Sequence, residues 1–303
     1  MITPTYLTRG DRVAIAAPAR KISAEELRPA IQLFESWGLE VTLPEHLFDT
    51  DHQFAGSDAV RAALLQRLID DGEVRAVFCA RGGYGTVRIV DKLDFRAFAQ
   101  KPKWIVGYSD ITVLHSHIHR HLGVATLHAT MPIDIADCTP HPSTDTLHRC
   151  LWGEPIAYRW ATHPLNRNGK AEGVVVGGNL SILYSLCGSS SDIDTTGKIL
   201  FLEDLDEYLY HIDRMMMNLK RNGHLEGLAG LVVGSLNRMH DNSTPFGSTA
   251  EEIIRDAVEE YDYPVCFGFA AGHIGTDNLA LPLGQVAELD VGGSVELRYS
   301  SPQ

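Results

Sequence analysis

The sequence predicts an α/β protein: a mostly parallel sheet in an N-terminal domain, then a second, smaller domain of mixed α+β character. Three observations predict it. In the first half, short apolar runs alternate with runs of helical spacing, the pattern of βαβ units. From about Cys150 to Gly169 that rhythm stops, and Pro164, Asn166, Asn168 and Gly169 read as a connector. Beyond it strands and helices recur in a different order and close on a hairpin. The expected domains are residues 1–152 and 170–303. A chain of 303 residues, 44% hydrophobic, holds enough apolar side chains for two medium cores.

The elements follow in order. DRVAIAAPA is a strand ending at Pro18. SAEELRPAIQLFESWG is a helix opened by Ser23, with Glu25 and Glu26 in its first turn; Pro29 predicts a later start or a kink. LEVTLPE is the next strand. SDAVRAALLQRLIDDG carries Val60, Leu64, Leu65 and Leu68 at helical spacing and stops at Gly72. VRAVFCA is a short buried strand, followed by the glycine loop RGGYGT and a helix from Val87 to Leu93. The strand WIVGY, a helix from Ile111 to His121 and the strand VATLHA complete the first half. In the second half EGVVVGGN, KILFLE, LAGLVVGS and YPVCFGF read as strands. NLSILYSLCG, EYLYHIDRMMMNLKRNG and STAEEIIRDAVEEY read as helices, and the closing hairpin turns near Asp290, Gly292 and Gly293.

Composition narrows the function. The formal charge is −13 and no basic stripe is present, which argues against nucleic acid and against an anionic membrane surface. No apolar run approaches the ~18 residues of a membrane span. The opening MITPTYLTRGDRVAIAAPAR reads as a first strand, not a secretory signal. Cys79, Cys138, Cys150, Cys187 and Cys266 form no C-x-x-C pair and read as reduced, buried thiols of a cytoplasmic protein.

Several residues could carry chemistry. Gly107-Tyr108-Ser109-Asp110-Ile111 puts a serine on a strand-to-helix corner. Such a serine is either a helix cap or a nucleophile on a strained elbow. The loop Arg81-Gly82-Gly83-Tyr84-Gly85 lets backbone N–H groups approach an anion or oxyanion; its spacing fits neither a dinucleotide fingerprint nor a P-loop. Ile199 to Leu202 end in Glu203, with Asp204, Asp206 and Glu207 behind it. Alternation puts Glu203 on the face of Ile199 and Phe201 and Asp204 on the other, and Glu203 is favoured as the functional acid. His273 lies in a small-residue loop between Gly272 and Gly275. Serine, carboxylate and histidine thus follow strand ends in the order found in α/β hydrolases. A competing metal reading rests on His115/His119 and His117/His121, each pair at i, i+4. The two pairs face different ways, so no metal site is expected. Met215 to Met217 read as core and surface.

Taken together, AVFCARGGYGT, WIVGYSDITVLH, EGVVVGGNLSIL, ILFLEDLDEYLYHIDRM and GHIGTDNLALPLG resemble the LD-carboxypeptidase family of serine peptidases over roughly residues 10–290. The resemblance implies a flavodoxin-like or amidotransferase-like N-terminal domain and a smaller C-terminal domain supplying an acid and a histidine. It implies Ser109 as nucleophile, Glu203 as triad acid and His273 as base. Backbone N–H groups of Asp110 and of the Gly82-Gly83 turn are the implied oxyanion donors. The implied activity is removal of the terminal D-alanine from murein tetrapeptide during cell-wall recycling, by a metal-free, cofactor-free homodimer in the cytoplasm. A related branch hydrolyses a microcin-type peptide-nucleotide and confers immunity. Arg81, the helix end beside Ser109 and the glycine-loop N–H groups are candidates for the substrate's free carboxylate. A rival from another class is a non-catalytic module that binds a muropeptide through the glycine loop.

Overall fold

Capping chemistry starts the first helix where Ser23 stands. The computed structural model describes residues 1–300. Strand β1 (Arg12–Ala16) leads to helix α1 (Ala24–Ser36). Ser23 Oγ accepts the Glu26 N–H at 3.2 Å, and the Glu26 carboxylate accepts the Ser23 N–H at 2.8 Å, a reciprocal cap. The helix runs through Pro29 and does not begin after it. The proline gives up one backbone hydrogen bond, while Leu27, Ala30, Leu33 and Phe34 are buried on one side and hold the helix down.

The alternation continues through β2 (Glu40–Thr42), α2 (Asp58–Asp70), β3 (Val74–Cys79), α3 (Arg96–Gln100), β4 (Trp104–Gly107), α4 (Thr112–Leu122) and β5 (Thr126–His128). Two expectations need correction here. Val87 to Leu93 is not an α-helix but two 3₁₀ turns, Thr86–Arg88 and Val90–Lys92. Gly85 offers no capping side chain, and Ile89 between the turns sits at φ −120°, ψ −19°, outside helical geometry. The stretch read as a connector contains structure: α5 (Pro142–Leu151) runs into it, and β6 (Ala157–Ala161) lies within it. Tyr158 is buried and Trp160 half-buried while Arg159 is exposed, a strand alternation hidden among polar neighbours.

The chain then forms β7 (Gly169–Asn179), α6 (Leu180–Leu186), β8 (Ile199–Leu205), α7 (Leu209–Arg221), β9 (Gly230–Asn237), α8 (Ala250–Ala257) and β10 (Val265–Cys266). It closes on β11 (Leu281–Leu283), β12 (Val286–Val291) and β13 (Ser294–Tyr299). The first sheet has the order β11-β5-β4-β3-β1-β2. Strands β1 to β5 are parallel, and β11 joins antiparallel to β5. The second sheet has the order β10-β9-β8-β7-β12-β13-β6. Its first four strands are parallel and the other three antiparallel. The main core is continuous between the sheets, joining Trp104 and Leu127 of the first to Phe201 and Phe269 of the second half. Met215 and Met216 are buried in the second core and Met217 is exposed. Cys79, Cys150 and Cys266 are buried, but Cys138 is exposed and Cys187 half-buried, so burial does not extend to all five thiols. No helix among the described residues is long and apolar enough to cross a membrane.

Helix α4 buries two of its histidines. His115 Nε2 meets the Gly107 carbonyl at 2.8 Å and His119 Nε2 meets Thr126 Oγ1 at 3.0 Å. Burial lowers their pKa values to about 4 and about 3. Unfolded imidazoles titrate near ~6.5, so unfolding takes up protons below that pH. The stabilisation from keeping both neutral is therefore complete above pH ~6.5 and is lost progressively as pH falls through that window. Thermal melts from pH 7 to 4.5 should show Tm falling, with a shallower slope in His119→Gln. Equal slopes in the two proteins would count against this assignment.

Candidate active site

Strand β4 stops at Gly107, and the chain turns sharply. Tyr108 is extended and Ser109 adopts φ +61°. An L-residue held in the left-handed region costs about 1–2 kcal/mol. Ser109 opens a 3₁₀ turn through Ile111, and Tyr108, not Ser109, occupies the cap position. The capping explanation of this serine therefore fails. Its corner is held from behind: the buried Asp110 carboxylate accepts the Thr86 N–H at 2.9 Å. Burial raises the Asp110 pKa, against the hydrogen bonds from Thr86 and Gly85 that lower it.

The glycine loop lies against this serine. A Cβ on Gly82 would stand 3.0 Å from Ser109 Cβ, 3.1 Å from its Oγ and 3.4 Å from the Asp110 nitrogen. Only glycine lets the loop backbone come so close. Ser109 Oγ, the Asp110 N–H and the Gly82 backbone thus share one small space. Beside them Arg81 donates to the Lys21 carbonyl at 3.3 Å and stands 3.9 Å from Glu26.

The second half brings the acid and the imidazole. Glu203 sits in β8 with no exposed surface. Its Oε2 stands 2.7 Å from His273 Nδ1. Gly272, at φ +108°, makes room for this pair: a Cβ there would lie 2.5 Å from Glu203 Oε2 and 2.6 Å from Ser235 Oγ. The Asn237 side chain donates to the His273 carbonyl at 2.8 Å, and the Tyr108 ring packs edge-on at 4.9 Å between centroids. Burial alone would lower the His273 pKa. The Glu203 hydrogen bond and the charges of Glu203, Asp204 and Asp134 outweigh it, and the net shift is upward.

The neighbouring carboxylates Asp204, Asp206 and Glu207 line the same cavity as Ser109 and His273, each with partners of its own. Asp204 accepts from Asn179 Nδ2 at 3.0 Å and from the Ser181 N–H at 2.9 Å; burial, with Glu203's charge beside it, pushes it up to about 7. Asp206 meets His240 and Glu207 meets His211, each at 2.6 Å. The four histidines of α4 have their own partners: His117 Nδ1 meets Ser191 Oγ at 2.9 Å and His121 Nε2 the Ser190 carbonyl at 2.7 Å, while His115 and His119 face the core.

Ser109 and His273 line one cavity of about 590 Å³, together with Arg81, Gly82 and Gly83. Among the described residues no hydrogen bond joins Ser109 Oγ to His273, whose Nδ1 is taken by Glu203. Loose nucleophile–base contacts are common before substrate binds. Four polar lining residues escaped sequence reasoning: Arg20, Asp134, Asn179 and Ser181. Arg20 follows β1, Asp134 follows β5 in the turn Pro132–Asp134, and Asn179 ends β7. The rule that singled out Glu203, a polar side chain at the end of a buried strand, fits Asn179 at the end of β7, whereas Arg20 and Asp134 lie several residues beyond β1 and β5.

This geometry has known relatives. The family model described as LD-carboxypeptidase N-terminal domain matches residues 13–129, and the one described as LD-carboxypeptidase C-terminal domain matches residues 172–289. A probable murein peptide carboxypeptidase of Bacillus subtilis is 38% identical over 291 residues, covering 95% of this chain and 91% of its own length. The crystal structure of muramoyltetrapeptide carboxypeptidase from Oxalobacter formigenes superposes with a TM-score of 0.87 at 27% identity, covering 96% of this chain and 100% of the other. The microcin C7 self-immunity protein MccF, in complex with aspartyl sulfamoyl adenosine, superposes with a TM-score of 0.87 over 99% of both chains at 20% identity, a likeness of fold alone. With both family models matched in order, and a cavity between a serine corner and a glutamate–histidine pair, the chain belongs to the LD-carboxypeptidase family.

Proposed function

We propose that this protein is a serine-type carboxypeptidase that removes the terminal D-alanine from murein tetrapeptide by cutting an L-to-D peptide bond. Ser109 is the nucleophile, His273 the general base and Glu203 the acid that orients it. Residues 1–152 carry the nucleophile and residues 170–303 the other two. One observation carries the reading: a buried carboxylate fixes His273 through Nδ1 at 2.7 Å, and that imidazole shares a cavity with a serine held at φ +61°.

The chemistry follows from the placement. Ser109 Oγ attacks the carbonyl carbon that precedes the D-residue, and its proton passes to His273 Nε2. Glu203 holds the tautomer and stabilises the imidazolium. The carbonyl oxygen, now negative, takes N–H groups from Asp110 and the Gly82-Gly83 turn. The imidazolium returns the proton to the amine of D-alanine, which leaves. Water, deprotonated by the same imidazole, then releases the tripeptide from Ser109. Arg81 and Arg20, on one wall of the cavity, supply positive charge for the free carboxylate that defines an exopeptidase. The names of the Bacillus and Oxalobacter relatives support this substrate class over a peptide-nucleotide. The same reading places the enzyme in the cytoplasm as a homodimer, acting on peptides returned from the wall.

Incubation with murein tetrapeptide and mass spectrometry of the products tests this. Free D-alanine and tripeptide are expected. Turnover of an aspartyl adenylate analogue and not of tetrapeptide would favour the immunity-type activity. Tetrapeptide binding without any turnover would leave only a binding module.

A further inference from the structure

A second cluster of reactive side chains lies away from the cavity. Cys187 follows α6, Asp192 lies in the loop leading to β8, and His224 lies between α7 and β9. Both connections feed the N-terminal ends of the parallel strands, whereas Glu203 stands toward the C-terminal end of β8. One ligand atom from each of the three side chains falls within 4.8 Å of the other two.

Two details distinguish this trio from a chance contact. Asp192 Oδ1 and His224 Nε2 stand 3.0 Å apart, yet the pair lacks hydrogen-bond geometry, and neither buried atom has another partner. The two atoms stand at ion-pair distance without a hydrogen bond between them, and Cys187 Sγ beside them donates to the Leu183 carbonyl at 3.5 Å; a carboxylate, an imidazole and a thiol so placed offer three donors to one ion. The other Asp192 oxygen is already fixed by the Gly188 N–H at 2.8 Å, which aims the free one. Tetrahedral zinc, with ligand bonds of ~2.0–2.3 Å, sets its ligand atoms roughly 3.3–3.8 Å apart, between the 3.0 Å seen and the 4.8 Å limit.

We propose that Cys187, Asp192 and His224 form a binding site for a thiophilic divalent transition-metal ion of the zinc class, with water as fourth ligand. The donor set decides the class: a thiolate and an imidazole select zinc-like ions, whereas calcium and magnesium take oxygen donors. Binding exchanges the Cys187 S–H proton for an S–metal bond and releases one proton per ion. The role is structural. The loop between Cys187 and Lys198 also docks on the first half, where Ser191 meets His117, Ser190 meets His121, and Ser190 Oγ donates to Asp91 at 3.1 Å. An ion at the trio ties this bridging loop to the loop of His224.

Cobalt titration of the chelator-stripped, full-length protein tests the site. One equivalent of Co²⁺ should give an intense thiolate-to-cobalt charge-transfer band that Zn²⁺ abolishes. The band should vanish in Cys187→Ser and persist in Cys138→Ser, the exposed thiol elsewhere. Asp192→Asn should weaken binding by at least the ~10–100-fold that losing even an outer partner costs. Saturating Zn²⁺ should raise Tm by about 5 °C and, with no variant needed, slow alkylation of Cys187 but not of Cys138 by tenfold or more. Release of D-alanine should be the same in zinc and in EDTA. Absence of the thiolate band at stoichiometric Co²⁺, or equal alkylation of Cys187 with and without zinc, would overturn the proposal.

Discussion

Ser109→Ala should fold as the parent does and lose about 10³-fold or more of its turnover. Alanine carries the same Cβ into the same left-handed conformation, so the corner is neither relieved nor further strained. What disappears is the oxygen that lies against Gly82 and the Asp110 nitrogen. Substrate binding should survive, because the glycine-loop N–H groups and Arg81 are untouched. Ser109→Gly makes a sharper companion. Glycine occupies φ +61° without the steric penalty, so this variant should be equally inactive yet more stable, by about 1 kcal/mol. A nucleophile held in an unfavourable conformation is a standing cost that only function justifies. Circular dichroism melts and the D-alanine assay read both effects. Parental D-alanine release by either variant would remove Ser109 from the mechanism.

Glu203→Gln should cost about 10⁴-fold, the loss that a carboxylate-to-amide change causes in a serine-protease triad. The side chain keeps its shape but loses the charge opposite His273 Nδ1. Asp204→Asn should cost far less. With its pKa pushed up to about 7 by burial and by Glu203, Asp204 is protonated much of the time near neutrality, and asparagine resembles that form. Asp206 and Glu207 already pair with His240 and His211, so their amide variants should change turnover little. The pH profile separates orientation from mere packing. As a base His273 must be neutral, and its pKa lies above the ordinary imidazole value, so kcat/KM should rise with pH through a point above ~6.5. Without the Glu203 charge burial dominates, and the residual activity should rise at lower pH than in the parent. An acid limb that does not move, or equal losses in all four variants, would leave Glu203 without its assigned role.

Much of this site was legible because each of its main residues follows a buried apolar run. Trp104 to Val106 and Ile199 to Leu202 announce strands by themselves, and Val265 to Phe269 does so too although only Val265–Cys266 is strand; the polar residue after each run stands out. The glycine loop was legible for the same reason, after Val74 to Cys79. The strain at Ser109 was legible only as one of two alternatives, a cap or a strained elbow, because a serine at such a corner suits both; the structure gives φ +61°. Asp134 and Arg20 were missed because Pro132 and Pro18 blur the ends of short strands. Strand β6 was missed because only Tyr158 and Trp160 face inward and Ala157, Arg159 and Ala161 on the outer face give no clear alternation, and β11 because its partner β5 lies more than 150 residues earlier. The trio of Cys187, Asp192 and His224 has no spacing that local sequence could reveal, since two separate connections bring it together.

Strand β11 has a consequence for how the molecule can be divided. It leaves the loop that carries His273 and completes the edge of the sheet that carries Ser109, with Leu281 opposite His128. Just before it, the Ala280 N–H donates to Thr146 Oγ1 at 3.0 Å. Severed near residue 165, the polypeptide would yield one piece with a bare sheet margin and another with an orphaned strip of Leu-Pro-Leu. His273 is thus stitched onto the scaffold that carries Ser109, so the register between the two is fixed at folding and owes little to any later swing of one half against the other.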